Sequence, residues 1–113
     1  MNLADLVERL DLKVYAGGAE LARPVSGGYV SDLLSDVIAH SRKDQLWITL
    51  QIHPNVIAVA ALKELAAIVF VNGREPAAET AARADKERIP LCGTPLSAYE
   101  FVGRAYGLGL AEK

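Results

Sequence analysis

Apolar positions along this chain follow first a helical period and then a repeating strand-and-helix pattern. Leu3, Leu6, Val7 and Leu10 recur at helical spacing behind Asn2, which can cap a first turn, so a short helix is predicted over 3–10. Leu12 to Tyr15 reads as a strand broken by Gly17-Gly18, and a second extended stretch is predicted from Glu20 through Pro24 and Val25. Pro24 places that stretch at an edge or a bend. In SDLLSDVIAHS, Leu33, Leu34, Val37 and Ile38 form one apolar stripe, with Asp32, Ser35, Asp36 and Ala39 on the other side. This predicts a short amphipathic helix with Ser31 as its cap and Asp32 in the first turn, where the helix dipole favours negative charge.

From residue 46 the runs LWITLQ, AIVFV and IPLC are β-rich, and each is followed by a turn and a helical segment. The helices are predicted at roughly Pro54 to Leu65, Pro76 to Arg88 and Pro95 to Tyr106, each opening near a proline, whose missing N–H costs nothing in a first turn. Strand and helix alternating three times imply an α/β fold: a small, mostly parallel sheet with right-handed crossovers and helices on its faces. The first of these helices is apolar nearly all round, with only Lys63 and Glu64 strongly polar in its interior. Such a helix must bury more than one face. Either the N-terminal helix covers the second face, or a second protomer does, and a homodimer is the expectation.

A length of 113 residues suits one domain spanning 1–113. With 51% hydrophobic residues, 23% charged and a net charge of −2, the composition is that of a soluble globular protein, and no basic excess calls for nucleic acid. No apolar stretch, Val56 to Ala61 included, is long enough to span a bilayer, and MNLADLVERLDL lacks the basic start and apolar centre of a signal peptide. A cytoplasmic location without membrane association is expected. The single cysteine, Cys92, excludes an internal disulfide, cannot by itself build a zinc site, and is expected to be buried packing.

In parallel sheets, function tends to lie beyond the carboxyl ends of the strands, against helix N-termini. Here those loops carry Gln51, His53 and Asn55, then Asn72, Gly73 and Arg74, then Gly93 and Thr94. A rim of backbone N–H groups, a guanidinium, an imidazole and small polar side chains suits an anion or a nucleotide. The ligand-binding candidates are His53, Asn55, Asn72, Gly73, Arg74 and Thr94. The same residues serve plain structure equally well: Asn55 and Thr94 as caps, Gly73 as a turn, Arg74 in solvent. Asp32 and Asp36 could share a cation one helical turn apart, yet paired carboxylates on a helix face are more often solvated, and no metal is assigned. His40 and His53 lack HxxxH or HExxH spacing, no GxSxG elbow surrounds Ser31 or Ser35, and neither GxxxxGK[ST] nor GxGxxG occurs. No catalytic set and no cofactor are indicated.

The segment VSGGYVSDLLSDVIAHSRKDQLWITLQIHPNVIAVAALKELAAIVFVNGREP, followed by ERIPLCGTPLSAYEF, resembles a stand-alone DRTGG-domain protein. That family is similar to the N-terminal domain of HPr kinase/phosphorylase and, more distantly, to the UDP-binding N-terminal domain of the muramoyl peptide ligases. HPN at 53 to 55 stands where a Gly-Asp-Arg type turn would be expected, and VNG at 71 to 73 where Thr-Gly-Gly would be, which marks a divergent branch. Proteins of this branch resemble ones encoded beside iron hydrogenase and related redox genes, sometimes labelled serine kinases. The kinase activity of the HPr enzyme belongs to a separate P-loop domain, so the resemblance implies no such activity here. It implies a small, often dimeric α/β domain with a regulatory or ligand-sensing role. The alternative is an adaptor whose surface, including Gly28, Asp32, Ser35 and Asp36, docks a redox enzyme or signalling partner.

Overall fold

The computed structural model describes residues 1–111. Helix α1 (Leu3–Arg9) leads to strand β1 (Lys13–Ala16), a single 3-10 turn at Gly18–Glu20, and strand β2 (Gly27–Val30). Then helices and strands alternate: α2 (Leu34–His40), β3 (Gln45–Thr49), α3 (Asn55–Lys63), β4 (Ala67–Phe70), α4 (Ala78–Glu87), β5 (Leu91–Gly93) and α5 (Ala98–Gly107). The five strands form one sheet in the order β1-β5-β4-β3-β2. The pairs β2·β3, β3·β4 and β4·β5 are parallel, and β1 closes the far edge antiparallel to β5. The α/β architecture with a mostly parallel sheet is therefore as expected.

Strand alternation splits the core into two layers. Leu46, Ile48, Ala67, Val69 and Cys92 point to one face, where α1 and α5 supply Leu3, Leu6, Phe101 and Ala105. Trp47, Ile68, Phe70 and Leu91 point to the other, where Val37, Val56, Ile57, Ala60 and Ala84 come from α2, α3 and α4. A central strand buried on both faces reads as an unbroken apolar run, which is why β3 and β4 were plain in the sequence. Asn2 caps α1 as anticipated, in a reciprocal box with Asp5.

Three expectations need correction. The second extended stretch is not at Glu20 to Val25: Glu20 lies in the 3-10 turn, Pro24 makes only an isolated bridge to Asn2, and the strand is the glycine-led GGYV. Gly27 and Gly28 hid it, because β propensity comes from branched and aromatic side chains. The following helix starts at Leu34, not near Ser31, and its N-cap residue Leu33 makes no side-chain cap bond. Ser31 and Asp32 thus belong to the β2–α2 loop. The supposed apolar stripe is also thinner than predicted, since Leu33 is 64% exposed and only Val37 of this helix is fully buried.

Helix α3 buries Val56, Ile57, Val59 and Ala60 and packs between α2 and α4. Its second face is covered by those neighbours, and the N-terminal helix lies in the opposite core layer. Leu62 is left 67% exposed. The prolines mark helix approaches more than first turns, with Pro76 and Pro95 preceding α4 and α5 by two and three residues.

Candidate functional site

Because β2 to β5 run parallel, their carboxyl ends share one rim with the start of β1. The rim is built outward from β3. Asp32, just past β2, accepts hydrogen bonds from Thr49 Oγ1 and the Leu50 N–H, both at 2.8 Å, while Gln51 Nε2 donates to the Asp32 carbonyl at 3.0 Å. The buried Trp47 indole N–H donates to the Ser31 carbonyl at 2.8 Å. The β2–α2 loop is therefore stitched to the end of β3, and the Asp32 carboxylate, though in an exposed residue, is spent on the sheet rather than standing free on a helix. Asp36 points elsewhere, accepting from Tyr29 Oη at 2.8 Å and meeting His40 Nδ1 at 3.1 Å. Its carboxyl is held below the ordinary value, led by the Ser31 hydroxyl, then Tyr29 and His40, against a smaller opposing effect of burial. The closest bonds of the Ser31 hydroxyl itself run to Leu33, so the Tyr29 and His40 contacts are the firm ones. With different partners, Asp32 and Asp36 do not converge on a shared cation. Among the described residues, no group of three His, Cys, Asp or Glu side chains is placed to hold a metal.

The six predicted ligand residues fall into two groups. His53 Nδ1 accepts from the Asn55 N–H at 3.2 Å, so the imidazole serves the first turn of α3. Asn72, Gly73 and Thr94 are drawn together on the far side of β4: the Asn72 N–H donates to the Leu96 carbonyl at 2.8 Å and the Gly73 N–H to the Thr94 carbonyl at 2.9 Å. Asn72 and Gly73 have φ of 58° and 69°, a left-handed pair that turns the chain sharply. Thr94 is buried, and its hydroxyl accepts from the Leu96 N–H at 3.2 Å. Gly73 and Thr94 line a small cleft of ≈ 230 Å³ with Lys13, Tyr15 and Glu75. Lys13 lies 3.9 Å from Glu75 and 5.0 Å from the centre of the Tyr15 ring.

Most rim donors are thus satisfied by the chain itself. Ser97 caps α5 through the Glu100 N–H at 3.2 Å, and His53 serves α3. Helix α4, like α2, lacks such a cap, because its N-cap residue Ala77 gives no side-chain bond. Arg74, exposed and three residues ahead, makes no ion pair or side-chain hydrogen bond among the described residues. The rim therefore keeps the Arg74 guanidinium and two helix starts without a side-chain cap, α2 and α4, of which α4 is the one close in sequence to Arg74, with Glu79 the acidic residue of its first turn. The sequence signalled Arg74 but not the missing cap, since Ala77 looks unremarkable until the helix start is known.

Cys92 is buried beneath α5, and desolvation pushes its thiol up to about 12, which leaves no thiolate for nucleophilic chemistry at neutral pH. No helix of the described residues is long and apolar enough to cross a membrane. A groove of ≈ 750 Å³ lies away from the rim, between β2 and α5, with Val30, Tyr99, Val102 and Tyr106 among its walls.

Five strands, mostly parallel and flanked by helices on both faces, place the chain in the α/β class that DRTGG domains share. Its fold is similar to the CBS and DRTGG domains of the regulatory region of Clostridium perfringens pyrophosphatase, a structure complexed with the activator diadenosine tetraphosphate. The TM-score is 0.67 at 13% identity, over 90% of this chain and 46% of that one. This chain therefore spans about half the length of that structure, and at this identity the likeness is one of fold. No family model matches the sequence. No curated protein matches it either.

Proposed function

We propose that this chain is a non-catalytic regulatory module that senses a small anionic metabolite or nucleotide at the carboxyl rim of its sheet. The observation that carries the reading is the exposed Arg74 guanidinium, unspent among the described residues, three residues ahead of an α4 N-terminus that has no side-chain cap. A guanidinium beside free helix N–H groups is suited to a phosphate or carboxylate. Asn72, Gly73 and Thr94 shape the neighbouring turn, and His53 and Asn55 stand at the next helix start. The fold neighbour supports the class of ligand, since that regulatory region holds a nucleotide activator. In this reading the module belongs to a divergent DRTGG type related to the HPr kinase N-terminal domain. It acts in the cytoplasm, and it is a homodimer because Val30, Tyr99 and Tyr106 leave apolar surface that the described residues do not cover.

The test is thermal unfolding of wild type and Arg74→Ala against adenine nucleotides, dinucleoside polyphosphates and inorganic phosphate. A ligand at a hundred times its Kd adds about 2.7 kcal/mol to stability, which raises Tm by several degrees in a domain of this size. The expected result is a rise in wild type that Arg74→Ala loses. Equal stabilisation of both proteins, or no response to any of these anions, overturns the rim as the site.

A further inference from the structure

We infer that the groove between β2 and α5 is the surface on which two copies of this chain pair, helix α5 against helix α5 about a two-fold axis. The inference rests on the reading of the module as a homodimer and names the surface.

The sheet face beneath α1 and α5 is incompletely roofed at its β2 edge. Gly28 brings no side chain there and Val30 is 51% exposed, while Leu46 and Ile48 of the next strand floor an adjoining hollow of ≈ 180 Å³. From the helix side come Tyr99, 90% exposed, and Tyr106, 64% exposed. At about 200 Å² per tyrosine, these two rings alone offer roughly 300 Å² of the ~800 Å² per partner that a standard dimer buries. Val30, Val102 and Ala98 line the same groove.

Charge selects a second copy as the occupant. Glu100 and Arg104 line the groove on α5, one turn apart and 3.2 Å from each other. In an antiparallel pairing with the two-fold axis near Val102, Glu100 of each protomer faces Arg104 of its partner, so the patch is complementary to itself. Gly103 agrees with this. Glycine is disfavoured inside a helix, yet a Cβ at this position would meet nothing within 4 Å among the described residues. Close approach of a second helix gives the absent side chain a use.

The test uses the full chain in sedimentation equilibrium and light scattering across the micromolar range. Wild type is expected to be a dimer, and Val30→Glu or Tyr106→Glu to weaken it at least tenfold with the circular-dichroism spectrum unchanged. Glu100→Arg and Arg104→Glu are each expected to dissociate, because each places like charges across the axis. An equimolar mixture of these two single variants is expected to recover a heterodimer, a result that only intermolecular pairing of these positions produces. Wild type monomeric throughout overturns both the homodimer and its surface. A dimer that ignores every α5 variant and falls apart with Leu62→Glu overturns the surface alone and moves the contact to α3.

Discussion

The two faces of the sheet are finished differently. On one, three helices close over Trp47, Ile68 and Phe70, and even α3, apolar on most sides, is satisfied between α2 and α4. On the other, α1 is only seven residues long and α5 stands largely alone against the β2 side, so Val30 and two tyrosines meet solvent. An all-round apolar helix is thus a poor guide to a partner surface: flanking helices supply the burial it needs. An edge strand that runs out of roof is the better guide, and it becomes visible only when the layers are assembled.

The sharpest contrast between the faces is in stability. Phe70→Ala on the closed side should cost ~3–5 kcal/mol, because its cavity cannot refill among fixed neighbours. Val30→Ala on the open side should cost well under that in the isolated protomer. Urea unfolding of both variants measures the difference, and a similar loss for the two would mean that the β2 edge is not open.

Next in size is the stitch between loop and sheet. Asp32→Ala removes the acceptor of the buried Thr49 hydroxyl and the Leu50 N–H, and should cost about 1–3 kcal/mol. If Asp32 were a solvated helix residue, as its neighbours in sequence suggested, the change would be near zero. Gly103→Ala should act with opposite signs in two measurements. It should stabilise the protomer by about 0.5–1 kcal/mol through helix propensity, and weaken the dimer by obstructing α5 against α5. A variant that gains on both counts would deprive the glycine of its role.

The smallest effect concerns pH. Since the Asp36 carboxyl is held below its ordinary value of 3.8, its contribution to stability is fully present above that value and is lost as pH falls through the depressed one. The stability difference between wild type and Asp36→Asn should be flat at neutral pH and shrink only in strong acid. A difference that changes between pH 6 and 8 would overturn the assignment of this effect to the Asp36 carboxyl.

Much of this molecule was legible in its sequence, for physical reasons that can be named. Strands β3 and β4 are buried on both faces, so their composition is nearly independent of what surrounds them, and Asn2 with Asp5 forms a cap from local residues alone. Strand β2 was not legible, because GGYV owes its extended form to the ladder with β3 rather than to its own side chains. Arg74 could be placed beyond a strand by pattern, but that its donors are unspent depends on which caps other residues supply. Period and composition decide whether a segment wants to be a helix or a strand. Which faces are left over, which carboxylate is spent on the sheet and which helix ends go uncapped depend on contacts between residues far apart in the chain. Only the packed structure brings those residues together.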